Sequence, residues 1–148
     1  MIGINTAVKV KKLHKDAKFP EYANQWGDSG ADIFAIDNYE LKPNERKLVK
    51  TGIAIVLQDG YECQVRSKSG LALNKGLMVL NSPGTIDNGY RGEIGVILYN
   101  TSDEIQTIEK GDKVAQLVFV PVSQAVFIET DDTDKTSRGE GGFGSTGK

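Results

Sequence analysis

The chain reads as an all-β domain, and three observations predict it. Short β-prone runs follow one another along most of its length, roughly ten in number. Turns rich in Gly and Asn separate them at even spacing. A single stretch has helical character, and no rhythm of strands alternating with long helices points to a parallel sheet. This pattern indicates a β-sandwich or barrel.

Taken in order, residues 6–13 alternate and predict an edge strand. Phe19-Pro20 opens an irregular stretch that runs to Gly30. Residues 31–36, ADIFAI, resume a strand. Residues 38–44 read as loop, punctuated by Pro43. Short strands are predicted over 47–49, 52–57 and 61–65, the last two joined through Gln58-Asp59-Gly60. Residues 69–75 are the helical piece: Ser69 can cap it, Leu71-Ala72-Leu73 favour it and Gly76 stops it. After a strand at 77–80, Ile86 and Asp87 precede Asn88-Gly89, which predicts a two-residue hairpin turn leading through Tyr90 into a strand over 94–99. Strands at 105–108, 113–121 and 126–128 complete the series.

The character changes at Thr130. Residues 1–130 make one β domain, and residues 131–148 make an acidic linker, Asp131-Asp132-Thr133-Asp134, followed by a glycine-rich arm. RGEGGFGSTGK cannot build a core, so the arm is expected to be mobile until something orders it.

Composition narrows the chemistry. The 148 residues suit a single core. A net charge of −2 argues against a general electrostatic grip on nucleic acid. Cys63 is alone, which excludes an internal disulfide and suits a reducing compartment. No apolar run is long enough for a leader or a membrane span, so a soluble, cytoplasmic protein is expected. His14 is the only histidine, so neither a Ser-His-Asp nor a Cys-His site is available, and no Cys/His cluster has zinc spacing.

Several groups remain as candidates. Asp87 and Tyr90 flank the Asn-Gly turn, either as a small polar pocket on a rigid support or as a solvated carboxylate and a cross-strand ring. Arg66, Lys68, Ser69 and Gly70 stand at the start of the helix, where free backbone N–H groups suit a phosphate; the same pattern also fits an ordinary cap with two exposed bases. The arm can wrap an anion with its backbone, fork Arg138 onto phosphate oxygens and stack Phe143 on a base, or simply be a disordered end. Asp32, near Asp28, either orients water around a divalent cation or caps its own turn. Gln116, inside an apolar run, pairs with backbone or reaches a ligand phosphate. Any metal would be a hard ion held mainly by substrate phosphates and water, as Mg²⁺ often is.

In this order the pieces resemble the five motifs of the trimeric dUTPase family. The likeness rests on SGADIFA (29–35), RSKSGLA (66–72), NSPGTIDNGYRGE (81–93), KGDKVAQL (110–117) and RGEGGFGSTG (138–147). It implies a distorted jelly-roll-like β-barrel with one short helix and a flexible C-terminal arm. The implied reaction is Mg²⁺-assisted hydrolysis of dUTP to dUMP and pyrophosphate, keeping uracil out of DNA and supplying dUMP for thymidylate synthesis. By the same resemblance Asp87 is the carboxylate that activates the attacking water, and Tyr90 packs under deoxyribose. Asn81, with the neighbouring backbone of Gly84, Thr85 and Ile86, recognises uracil. Arg66, Lys68, Ser69, Gly70 and Gln116 hold phosphates, and Asp32 stands near the Mg²⁺ water shell. Arg138, Gly144, Ser145 and Thr146 clamp the γ-phosphate while Phe143 stacks on uracil. A homotrimer with shared sites is likewise implied. Two positions depart from the pattern: Lys68 stands where Arg is more usual and Ser67 where Pro is frequent. The related dCTP deaminases need a glutamate on the strand after the hairpin, where this chain has Ile97, and an apolar side chain cannot shuttle protons. A binding or regulatory module that keeps the fold without catalysis is the rival from another class, against which an intact Asp87 and arm both argue.

Overall fold

The structure, a computed structural model, describes residues 6–147; residues 1–5, part of the stretch read as carrying no leader, and Lys148, the last residue of the arm, lie outside it. In chain order the elements are β1 Lys9–Lys12, β2 Ala31–Phe34, β3 Tyr39–Leu41, β4 Arg46–Lys50, β5 Ile53–Val56, β6 Tyr61–Arg66, α1 Ser69–Lys75, β7 Leu77–Val79, β8 Gly84–Ile86, β9 Gly95–Asn100, β10 Gln106–Ile108 and β11 Lys113–Pro121. All pairings between these strands are antiparallel. A four-stranded sheet β2-β11-β6-β8 and a three-stranded sheet β4-β9-β7 form the body, with two-stranded ribbons β1-β5 and β10-β3 beside them.

Strand pleating explains the core. Along β9, Val96, Leu98 and Asn100 are buried while Gly95, Ile97 and Tyr99 alternate with them at half exposure. Ile33, Leu41, Val49, Ile53, Leu98 and Leu117, drawn from all four sheets, belong to one apolar cluster. Each such side chain contributes about 1.5–3 kcal/mol on burial. Asn100 is the polar exception and is fully paired. Its Nδ2 donates to the carbonyls of Leu41 (3.0 Å) and Glu104 (2.7 Å), and its Oδ1 accepts from the Ser102 amide (2.9 Å) and hydroxyl (2.7 Å).

Four details differ from the sequence reading. Residues 39–41, expected as loop, form β3, because β10 offers them a partner. Residues 126–128, expected as a strand, pair with no other strand among the described residues: Val126, Phe127 and Ile128 are 87%, 95% and 84% exposed. Their β propensity finds no neighbouring strand to satisfy it. The Asn88-Gly89 turn exists, closed by the Tyr90 amide donating to the Asp87 carbonyl at 3.0 Å, but it makes no hairpin. Neither central residue has positive φ, so the turn lacks the twist that pairs its flanking strands; β8 goes to β6 and β9 to β4 and β7. Finally, Ser69 is the first helical residue and not the cap. Lys68 holds that position without a side-chain bond, while Gly76 closes the helix at φ 64° as predicted.

Candidate active site

The body opens in a cavity of about 170 Å³ between the two larger sheets. Val65, Gly84, Thr85 and Ile86 line it from β6 and β8, and Val79, Gly95 and Ile97 from β7 and β9. Asn81, Asp87, Tyr90, Glu93 and Ile94 complete the wall. Close approach shapes this wall. A side chain at Gly84 would meet the Asn81 amide nitrogen and Val65 Cβ, both at 3.3 Å. The Tyr90 ring lies over Gly92, where a Cβ would come within 2.4 Å of the phenol oxygen, and that hydroxyl donates to the Glu93 carbonyl at 3.0 Å. Asp87 is exposed, and it also borders an adjoining groove of about 570 Å³ with Asp59, Tyr61 and Glu62.

Two side chains that the sequence reading did not single out hold the turn bearing Asp87 and Tyr90. Asn88 Nδ2 donates to the carbonyls of Gln58 (2.8 Å) and Tyr61 (3.2 Å), tying the turn to the β5–β6 connection. Arg91 Nη1 donates to the carbonyls of Asn88 (2.6 Å) and Tyr90 (3.0 Å). Asn88 was legible only as a turn former. Its partners lie 27 and 30 residues away in the chain, a relation that local sequence does not carry.

A polar row crosses the four-stranded sheet. Gln116 of β11 stands opposite Asp32 of β2 on one side and Arg66 of β6 on the other. A bulge at Val114 sets this register, since Lys113 pairs with Phe34 and Ala115 with Ile33. Gln116 Nε2 donates to the Ser67 carbonyl at 2.9 Å, the backbone pairing that was one of its two expected fates. Arg66 folds back on Gln64 Oε1, at 3.1 and 2.7 Å. Asp32 caps no turn: it is buried in mid-strand, with Oδ1 bonded to Lys68 and Oδ2 2.8 Å from Lys113. Burial opposes its charge, yet the hydrogen bonds from Lys113 and Lys68 and their positive charge prevail and hold its pKa below the usual value. The same bond to Asp32 raises Lys113. Asp28 is occupied separately, accepting from the Asn24 amide at 2.7 Å. Cys63 is buried and its thiol is pushed up to about 12, chiefly by burial and then by Glu62, which leaves it inert.

Among the described residues the arm makes local bonds only. Arg138 Nε donates to the Gly141 carbonyl at 2.9 Å and the Ser145 amide to the Gly142 carbonyl at 3.1 Å. Phe143 is fully exposed with φ 52°, and Gly144 follows at φ 91°. Asp87, Tyr90, Asn81, Gly84, Thr85 and Ile86 are therefore gathered at one cavity, and Asp32, Arg66, Lys68 and Gln116 at one row. Arg138, Phe143, Ser145 and Thr146 stand apart from both.

Among the described residues no group of three or more His, Cys, Asp or Glu side chains could hold a metal. Asp32 does not fit as a direct ligand, because ammonium groups engage both its oxygens. No helix of the described residues is long and apolar enough to cross a membrane.

An all-β body with a polar cavity, a carboxylate at its edge and a glycine-rich arm defines a protein built to take a small polar molecule, and comparison with known proteins identifies the family. A model of the dUTPase family matches residues 15–147. The deoxyuridine 5'-triphosphate nucleotidohydrolase of Hydrogenobaculum sp. (strain Y04AAS1) is 56% identical over 139 residues, covering 93% of this chain and 96% of that protein. That of Helicobacter pylori (strain P12) is 52% identical over 140 residues, covering 95% and 96%. Among solved structures, a mutant dUTPase of Staphylococcus bacteriophage 80alpha with dUpNHpp superposes with a TM-score of 0.88 at 29% identity, covering 96% of this chain and 99% of that one. A mutant dUTPase from phage phi11 of S. aureus, described for its coordination of a structural Mg(II) ion, gives 0.80 at 26% identity, covering 87% and 99%. The chain belongs to the dUTPase family: it is a dUTP diphosphatase with that family's jelly-roll-like β fold.

Proposed function

We propose that this chain hydrolyses dUTP to dUMP and pyrophosphate by attack of water on the α-phosphorus, with Asp87 as the base that takes the water's proton. The observation that carries this reading is the cavity itself. About 170 Å³ lies between two sheets, with Asp87 on its rim and Tyr90 forming part of its wall. That volume suits a pyrimidine ring, and the strand backbone of Gly84–Ile86 offers amide and carbonyl groups for its edge, with Asn81 alongside. Tyr90, fixed by its bond to Glu93, packs under the sugar and leaves no room for a 2′-hydroxyl.

The triphosphate runs toward Ser69, Gly70, Lys68, Arg66 and Gln116. A Cβ on Gly70 would touch nothing, so packing within this chain does not demand glycine there, whereas a closely approaching phosphate would. Arg138, Gly144, Ser145 and Thr146 then close on the γ-phosphate and Phe143 stacks on the base, so that residues 131–148 act as linker and lid over the body of 1–130. A divalent ion such as Mg²⁺ would be held by the triphosphate and water near this row, and would supply charge neutralisation when bound. For Asp32 to face that water shell, Lys68 or Lys113 must first turn to the phosphates. A homotrimer with sites shared between subunits gives the exposed Val126-Phe127-Ile128 a partner and lets the arm reach a neighbouring cavity. The cellular setting that fits is the cytoplasm, where dUTP removal keeps uracil out of DNA and dUMP feeds thymidylate synthesis.

The test is pyrophosphate release from dUTP, dCTP, dTTP and UTP with Mg²⁺ present. Release from dUTP alone is expected. Comparable turnover of UTP would sink the Tyr90 role, ammonia from dCTP would reinstate deamination, and dUTP binding without turnover would point to a regulatory module.

A further inference from the structure

One side chain outside that machinery fastens together the two sheets that wall the cavity. In the β7–β9 ladder the Leu80 amide donates to the Ile97 carbonyl at 2.9 Å, and Val79 stands opposite Leu98. Hydrogen-bonded and non-bonded positions alternate in an antiparallel pair, so the Val79 N–H points away from β9, off the free edge of the three-stranded sheet. An edge amide beside a cavity needs an acceptor. Ser67 Oγ accepts from it at 2.9 Å, in a half-buried setting. Ser67 itself directly follows β6 of the other sheet, and its carbonyl takes the Gln116 amide at 2.9 Å. Gln116 is packed against Gly30 so closely that a Cβ there would come within 2.0 Å of its Oε1. A continuous set of contacts thus runs from Gly30 through Gln116 and Ser67 to Val79. Val79, which donates this bond, and Val65, two residues before Ser67 on β6, both line the cavity.

We propose that Ser67 is a positioning residue that determines base specificity: its hydroxyl clasps β7 to the end of β6 and so sets the width of the cavity. A proline at this position supplies no such acceptor, so the clasp is a property of this chain's serine. The inference rests on the reading that uracil enters this cavity. A wall held at one spacing excludes a 5-methyl group; a loosened wall admits it and grips uracil less well.

The experiment compares the wild type with Ser67→Ala and Ser67→Thr, the latter keeping the hydroxyl. Steady-state kinetics on dUTP and dTTP are measured together with amide hydrogen exchange at Val79. Ser67→Ala is expected to raise KM for dUTP about tenfold, as loss of one well-made hydrogen bond allows, with kcat within about twofold. Its preference for dUTP over dTTP should fall by a similar factor, and Val79 exchange should accelerate, while Ser67→Thr restores all three. Unchanged Val79 exchange in Ser67→Ala would overturn the clasp. Faster exchange with unaltered KM and preference would overturn the specificity role, as would a kcat loss equal to the KM change. A wild-type protein that binds no dUTP would overturn the underlying reading of the cavity, a failure distinguishable because the Val79 exchange arm is independent of substrate.

Discussion

The turn carrying Asp87 and the arm carrying Phe143 are both irregular segments, yet the structure treats them in opposite ways. The turn is held at both ends and from the side: β8 and β9 anchor it in different sheets, and Asn88 and Arg91 bond it to carbonyls. The described residues of the arm hold one another through bonds three residues long, and the aromatic ring of Phe143 faces solvent. A group that must meet a reacting atom gains from being fixed in advance, because misplacement by an ångström costs rate steeply. A group that must let substrate in and then shut out water gains from staying loose. In the proposed function, the two regions divide these requirements between them.

Removing residues 138–148 gives the largest expected effect and tests the loose half. Turnover of dUTP should be lost, while the melting temperature stays within a degree or two, since no core residue lies there; equal loss of both would contradict a lid. Asp87→Asn tests the fixed half, with kcat falling about 10²–10⁴-fold, the usual worth of a general base, and dUTP affinity measured by calorimetry nearly unchanged. Asn88→Ala releases the turn without touching its carboxylate. Here kcat should fall by roughly tenfold and stability by about 0.5–1.5 kcal/mol in urea denaturation, the net value of a hydrogen bond; retained kcat would mean the turn keeps its shape without that tie. Asp32→Asn probes the paired carboxylate of the polar row through pH. A carboxylate whose folded pKa is depressed stabilises the fold above its ordinary value of 3.8, and that stability is lost as pH falls through the lower folded value. The wild type should therefore lose stability in that acid window and Asp32→Asn should lose less, which thermal melts between pH 2 and 6 on the scale of ordinary carboxylates would show. Phe143→Ala should be the mildest, leaving stability within about 0.5 kcal/mol while raising KM.

Much of the fold was legible because it rests on period and punctuation. The strands over 31–34, 53–56, 61–66, 95–100 and 113–121 follow apolar runs bounded by turn residues, and Gly76 ends the helix through its left-handed φ. What failed did so where a distant partner decides. Tyr39–Leu41 becomes a strand only because β10 lies beside it, and Val126-Phe127-Ile128, a better strand former, stays unpaired for want of a neighbour. The candidate site shows the same division. Asp87, Tyr90 and Asn81 were recognisable from the motif around them. The Asn88 tie, the Ser67 clasp and the pairing of Asp32 with Lys68 and Lys113 were not.

The sequence by itself determined the class of fold, the position of most of its strands along the chain, a short helix and the residue types available for phosphate and base recognition. Those follow from side-chain polarity and backbone preference, which each residue carries wherever it is placed. Tertiary structure alone decided that β8 and β9 part company after the turn, that Asp32 sits between two lysines instead of facing water, and that a serine hydroxyl closes the edge of β7. These depend on hydrogen-bond geometry between groups far apart in the chain, which comes into being only when the sheets pack.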